Sequence, residues 1–214
     1  MFYEPKEGHG LSKNPFNSLV VPRPIGWITT VDKAGNVNLA PYSFFNAVSY
    51  KPPTVMFSAG YSHVEREDGM KDSLRNALET GEFVHNLTTW DTREAMNITS
   101  SDTDQNVDEL TLANLTPIPS TIVTPPRVKE APVHFECKVI ESLELPNTQG
   151  EDTYTVVFGE VVGIHIADDL IMPNGQIDIG KLHPIARMGY QDYSEVTAQT
   201  VFTMERPNFH PYEK

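Results

Sequence analysis

PRPIGWITTVDKAGNVNLAPYSFFNAVSYKPPTVMFS, residues 22–58, decides how the rest of the chain is read. Ile25 to Val31 is a β-branched and aromatic run, and DKAGN at 32–36 supplies the Asp, Gly and Asn that a tight turn needs. VNLAPYSFFNAVSY returns as a second, interrupted strand, and PPTVMFSA forms a third. Pro41 and the pair Pro52, Pro53 lack the N–H that a central ladder uses, so they mark a bulge, an edge or a loop. The prediction is a mainly β chain of short strands.

Downstream, MKDSLRNALETGEF puts Met70, Leu74, Ala77 and Leu78 on one helical face. Asp72 is the expected N-cap and Gly81 the expected C′ residue. FVHNLT then reads as a strand. From about 90 to 130 the pattern changes: TREAMNI and NVDELTLANL suggest short helices, and TPIPSTIVTPPRV carries too many prolines for either regular element. This excursion suits a lid or a dimer arm. VHFECKVIESLEL alternates cleanly, whereas DTYTVVFGEVVGIHIADD is apolar on both faces for much of its length, as in a strand buried in a closed barrel. From Asp178 onward come turns and short pieces. With no internal repeat and no long linker, residues 1–214 are expected to form a single domain.

Composition excludes several classes. Hydrophobic residues make up 39% of the chain, and 17 prolines and 13 glycines are scattered along it, which suits short strands and loops better than a helical bundle. No apolar run is long enough to span a bilayer as a helix. The beginning lacks the basic end and apolar stretch of a signal peptide, so a cytoplasmic protein without membrane association is expected. Against 29 acids stand 16 Lys and Arg, a formal charge of −13, so a nucleic-acid partner is not expected. Cys137 is the single cysteine and alternates with Val133, Phe135 and Val139; it reads as a small buried apolar group. Signatures of phosphate-loop enzymes, dinucleotide-binding GxGxxG turns, HExxH helices and GxSxG elbows are missing from the sequence. His134 and His165 lack metal-site spacing. No metal is expected.

The chemistry-bearing candidates are polar and aromatic groups on neighbouring strands. Thr29, Thr30, Ser43, Asn46, Ser49 and Ser58 can hydrogen-bond a polar heterocycle, and Trp27, Phe44, Phe45 and Tyr50 offer flat apolar surface. By themselves these residues equally fit ordinary strands. Lys71-Asp72-Ser73 is a candidate anion site, because a helix start exposes free N–H groups and carries partial positive charge. A solvated lysine before a capped helix is the plainer alternative.

The full set of motifs resembles the flavin-reductase-like, FMN-binding split-barrel family. It comprises Pro22-Arg23-Pro24, Thr29-Thr30, Asn38-Leu39-Ala40-Pro41, Ser43-Phe44-Phe45-Asn46, Pro52-Pro53, Lys71-Asp72-Ser73, Gly81 to Thr88, Asp108-Glu109-Leu110 and Arg187-Met188-Gly189-Tyr190. The resemblance implies a split β-barrel with a few short peripheral helices. It implies FMN as cofactor, with its phosphate at Lys71, Asp72 and Ser73. Asn46 and the backbone of Ala47 and Val48 would lie at the isoalloxazine edge, with Thr29, Thr30, Ser43, Phe44, Phe45 and Ser58 nearby. Arg187 would stand near the flavin or the subunit boundary, although a surface ion pair is the alternative. His183 could face the nicotinamide side or serve structure. Two positions depart from the family pattern: Ser73 replaces the commoner threonine, and Gly189-Tyr190 replaces Gly-Gly.

The implied activity is that of an NAD(P)H:flavin oxidoreductase. NADH or NADPH would bind transiently, reduce the flavin and leave, and no obligatory acid or nucleophile is implied. The electrons would pass to free flavin, oxygen, a metal complex or a partner oxygenase. A homodimer is implied, and it would cover sheet edges, aromatic loops and the proline-rich arm from Thr116 to Val128. The alternatives are a split-barrel electron carrier or oxygen-using flavoenzyme, and a cofactor-free interaction module.

Overall fold

The computed structural model describes residues 1–60, 62, 69–104, 107–147 and 153–207. In chain order its elements are α1 (Phe16–Leu19), β1 (Arg23–Pro24), β2 (Gly26–Val31), β3 (Val37–Tyr42), β4 (Phe45–Tyr50), β5 (Pro53–Ala59), α2 (Asp72–Thr80) and β6 (Glu82–Leu87). There follow α3 (Arg93–Ile98), α4 (Glu109–Leu112), β7 (Pro117–Ile118), β8 (Arg127–Val128), β9 (Val133–Glu144) and β10 (Thr155–Ile166). The last are α5 (Ile179–Leu182), β11 (Ile185–Gly189) and β12 (Asp192–Glu195).

Seven strands form one antiparallel sheet in the order β3-β2-β6-β9-β10-β5-β4. Its two edge strands, β3 and β4, are separated in sequence only by Ser43 and Phe44. Three residue steps reach at most about 11 Å, so the sheet has to curl until its edges adjoin. Just before β4, the Ser58 N–H of β5 donates to the Phe44 carbonyl at 2.8 Å and extends the β4–β5 ladder into that connection. The result is a split β-barrel. A small second sheet, β1-β11-β12, and the β7–β8 pair lie outside it.

The barrel is filled by Ile28, Tyr42, Phe45, Phe57, Phe83, Cys137 and Val157, with Leu74 and Ala77 of α2 packed into the same cluster. Burial pushes the Cys137 thiol up, in keeping with a packing role. Gly159 sits at a register shift of β10, and a Cβ there would lie 2.4 Å from the Phe83 ring. The outer face of β2 and β3 is covered as well, because Trp27 and Leu39 pack with Met96, Leu110, Val128 and Ile185. This accounts for the burial of every residue of β2.

The proline-rich segment is neither free nor strand-paired over most of its length. Polar side chains on the outer face of the barrel bind its backbone. Glu136 accepts the N–H groups of Thr121, Ile122 and Val123 at 2.8, 2.6 and 3.0 Å, and Glu82 accepts that of Thr124 at 2.8 Å. Asn86 accepts from the Val128 N–H at 2.8 Å, and His134 Nε2 donates to the Val128 carbonyl at the same distance. The segment is therefore a strap fixed to its own barrel.

Helix α2 begins one residue earlier than expected, at Asp72 itself. Lys71 takes the N-cap position, and Asp72 lies in the first turn, where it pairs with Arg75 at 2.5 Å. Gly81 ends the helix as expected, at φ +74°, with its N–H on the Ala77 carbonyl. Among the described residues no helix is long and apolar enough to cross a membrane.

Candidate functional site

A cleft of about 80 Å³ opens between the start of α2, strand β3, residues 99–103 and α4. Lys71, Asp72 and Ser73 all line it, together with Asn38 and Tyr42 of β3. Lys71 has extended backbone angles (φ −68°, ψ 143°) and its side chain makes no cap bond. The helix thus begins without the side-chain oxygen that usually satisfies its first-turn N–H groups. Lys71 adds a full positive charge to that electropositive end. Across the cleft stand the hydroxyls of Ser100, Ser101 and Thr103.

Ser73 is tied to the cleft wall. It is 1% exposed, Asn38 Nδ2 donates to its Oγ at 2.6 Å, and the Tyr42 phenol shares a hydrogen bond with it. Ser73 therefore orients Asn38 and Tyr42 from behind. Burial, joined by the charges of Asp72 and Glu109, pushes the Tyr42 phenol up and keeps it neutral.

Glu109 is a cleft residue that sequence reasoning passed over except as part of a motif. It is 7% exposed, and its carboxylate turns back to accept the Leu39 N–H and the Thr103 hydroxyl, each at 3.2 Å. Burial raises its pKa against the lowering effect of these bonds, and nearby Asp72 pushes it further up. Asp108, just before it, caps α4 by accepting from the Leu110 N–H at 3.0 Å. That capping pattern is readable in the sequence; the return of Glu109 to β3 is not.

The other expected residues lie elsewhere. Thr29 and Thr30 are wholly buried; their Oγ1 atoms accept from Asn86 and Asn76 at 2.6 and 3.2 Å. Their side chains are buried and engaged with these asparagines. Phe45 is likewise inside the barrel, stacked on His85 with ring centroids 4.4 Å apart. Ser43, Phe44 and Ser58 are half-buried at the barrel seam. Asn46, Ala47 and Val48 are exposed along β4 and line no part of the cleft.

Arg187 faces a second, broader groove of about 790 Å³, lined also by Trp90, Arg93, Tyr193 and Glu195. Ser100 lines both depressions, so they adjoin. Arg187 donates to the Tyr190 carbonyl and the Tyr193 hydroxyl, and its guanidinium lies 4.6 Å from the Tyr193 ring centroid. His183, at φ +47° after α5, meets Glu195 at 2.5 Å on the rim of this groove. No group of three or more potential metal ligands occurs among the described residues.

Residues 18–180 match the family model described as the flavin reductase like domain. An uncharacterized protein of Aquifex aeolicus is 40% identical over 176 residues, covering 82% of this chain and 85% of that protein. The crystal structure of nitrilotriacetate monooxygenase component B from Bacillus cereus aligns with TM-score 0.83 and 33% identity, over 95% of this chain and 98% of that one. The 2-nitrobenzoate 2-nitroreductase NbaA of Pseudomonas fluorescens aligns with TM-score 0.77 and 28% identity, over 93% and 92% of the two chains.

Proposed function

Because the chain belongs to the flavin reductase like family, we propose that it binds FMN at the α2 cleft and reduces flavin with NADH or NADPH. The observation that carries this reading is the start of α2, where Lys71 stands at a helix end without a side-chain cap and opposite a row of hydroxyls. Lys71 and the first-turn N–H groups suit a phosphate, and Ser100, Ser101 and Thr103 suit a polyol chain. Bound FMN would supply the two-electron chemistry. The residues of the chain bind and orient it, and Asn38 and Tyr42, held by Ser73, fix the shape of the wall. Asp72, Asp102 and Glu109 line the same cleft, so Lys71 has to offset their charge for an anion to enter. The adjoining groove leaves room for a second substrate beside the first. Residues 1–214 act as one domain in this reading.

Two measurements test it. Mass spectrometry of the heat-released cofactor should show FMN; recovery of FAD alone would overturn the assignment. Steady-state oxidation of NADH and NADPH, with and without added flavin, should show flavin-dependent turnover. A second reading, as a flavoprotein that supplies electrons to a partner oxygenase, is favoured by the similarity to a monooxygenase component B. It predicts slow nicotinamide oxidation by the isolated protein and acceleration only when an oxygenase is present. In either reading the protein acts as a homodimer.

A further inference from the structure

In the β1–β11 ladder Arg23 and Arg187 stand directly opposite each other. Like charges so placed repel, and an antiparallel pair holds side chains within about 5.5 Å at the Cβ. The chain has an excess of acids, with 29 against 16 basic residues. Yet among the described residues neither arginine has a carboxylate within ion-pair distance. Each is held instead by neutral acceptors: Arg23 donates to the carbonyls of Asn17 and Val20, and Arg187 to the Tyr190 carbonyl and the Tyr193 hydroxyl. Their positions are thus fixed while their charges stay uncompensated. Burial, and then the charge of Arg187, push the Arg23 pKa down. A third cation, Lys13, lies over the Tyr190 ring at 5.5 Å from its centroid.

Two buried polar atoms without a hydrogen-bond partner belong to the same corner. Arg23 is 7% exposed and its Nε has no acceptor; Ser18 Oγ also has no partner. Ser18 packs against the turn after Arg187, where a Cβ on Gly189 (φ +104°) would come within 2.5 Å of Ser18 Oγ. Orphaned buried donors in a native fold point to an unseen water or ion. Unpaired guanidiniums select phosphate in particular, because their planar N–H forks match its oxygens.

We propose that Arg23, Arg187, Lys13 and Ser18 form a second phosphate site, separate from the Lys71 cleft, which holds the pyrophosphate of the nicotinamide dinucleotide. Arg187 joins the two regions, since it belongs to this cluster and also lines the groove that meets the cleft at Ser100. The identity of the ligand rests on the proposed nicotinamide-dependent activity; the anion site itself does not.

Calorimetric titration with ADP-ribose, inorganic pyrophosphate and adenosine tests the site without turnover. The parent protein should bind ADP-ribose and pyrophosphate, and Arg187→Gln should weaken both about tenfold, the loss expected for one charge-assisted bond. Lys13→Ala, at an exposed position, should weaken both in the same direction, and adenosine should not distinguish the variants. Pyrophosphate should raise the melting temperature of the parent more than that of Arg187→Gln. Circular dichroism and the cooperativity of thermal unfolding without ligand report the folding of each variant, and FMN affinity is read in parallel. Failure of the parent to bind ADP-ribose or pyrophosphate would overturn the proposal, as would unchanged affinity in both folded variants. Unchanged affinity accompanied by dissociation of a dimer would show that a second copy's carboxylates meet these cations, and would also overturn it. If FMN itself does not bind, the functional reading falls, while the pyrophosphate titration still decides this site.

Discussion

Lys71 brings a full charge to the start of α2, whereas Ser73, two residues on, is buried with its Oγ already engaged by Asn38 and Tyr42. The two substitutions should therefore behave differently. Lys71→Ala is expected to weaken FMN about tenfold or more, since a hydrogen bond to a charged group contributes roughly 1.5–3 kcal/mol. Riboflavin, which lacks the phosphate, should bind this variant as it binds the parent; fluorescence titration of both ligands reads the contrast, and equal losses would reject a phosphate contact. Ser73→Ala leaves Asn38 Nδ2 and the Tyr42 phenol without a shared partner, so its main effect should be a stability loss of about 1–3 kcal/mol in urea titration. His85 gives a third test. It lies between Phe45 and Phe135, its Nδ1 meets no partner, and burial, then the neighbouring His134, hold its pKa down at about 3. An unfolded histidine titrates near 6.5, so between these values the unfolded chain binds more protons and stability falls as pH falls. His85→Phe keeps an aromatic ring in the stack and should flatten the fall in urea midpoint between about pH 7 and about pH 5. A slope as steep as the parent's would place the proton uptake elsewhere.

At the scale of elements, the strap from Thr116 to Val128 is held by groups on the outer face of β6 and β9. Glu136 is fully buried; burial alone would raise its pKa, but the N–H groups of Thr121, Ile122 and Val123 and the His165 ring hold it down to about 2. Glu136→Gln replaces one acceptor oxygen with an NH₂ group facing backbone donors. The expected cost is about 2–4 kcal/mol, with faster amide exchange at Thr121 to Val123, because buried N–H groups lose their acceptor. Unaltered exchange there would show that the strap is held by its other contacts. This arrangement marks the limit of what the sequence discloses. The alternation in VHFECKVI correctly points Phe135, Cys137 and Val139 into the barrel. The residues that alternate with them, His134 and Glu136, are polar and yet buried. Period-two patterning reports which residues share a face; it is blind to a loop about fifteen residues upstream that folds over that face and brings backbone donors. The partners of Thr29 and Thr30 are equally hidden from a local pattern, since Asn86 of β6 and Asn76 of α2 reach their hydroxyls through packing.

For the whole molecule, prolines and turn residues in 22–58 make the short strands legible, but the closure of the barrel depends on β3 and β4 being opposite edges of one sheet, which no local pattern encodes. The helix start at Lys71 is likewise a local signal, while Glu109 and the loop at 99–103 reach the cleft only through long-range packing. The same distinction bears on assembly. β4 ends the seven-stranded sheet, and after Phe45 all its residues are exposed, on both faces, with Val48 at 49% and Tyr50 at 95%. Beyond the seam, α1 exposes Phe16 and Leu19 at 59% and 72%. An uncovered edge strand carrying apolar groups is a ready template for association, and a two-fold partner would use the same patch on both copies. Light scattering of the purified protein should therefore give twice the chain mass. Val48→Glu together with Tyr50→Glu places like charges against their symmetry mates and should shift the mass toward that of one chain. Retained FMN affinity in that monomer would show that each chain holds its own flavin, and lost affinity would show a cleft completed by the partner. A parent protein that is monomeric with flavin fully bound would refute the dimer.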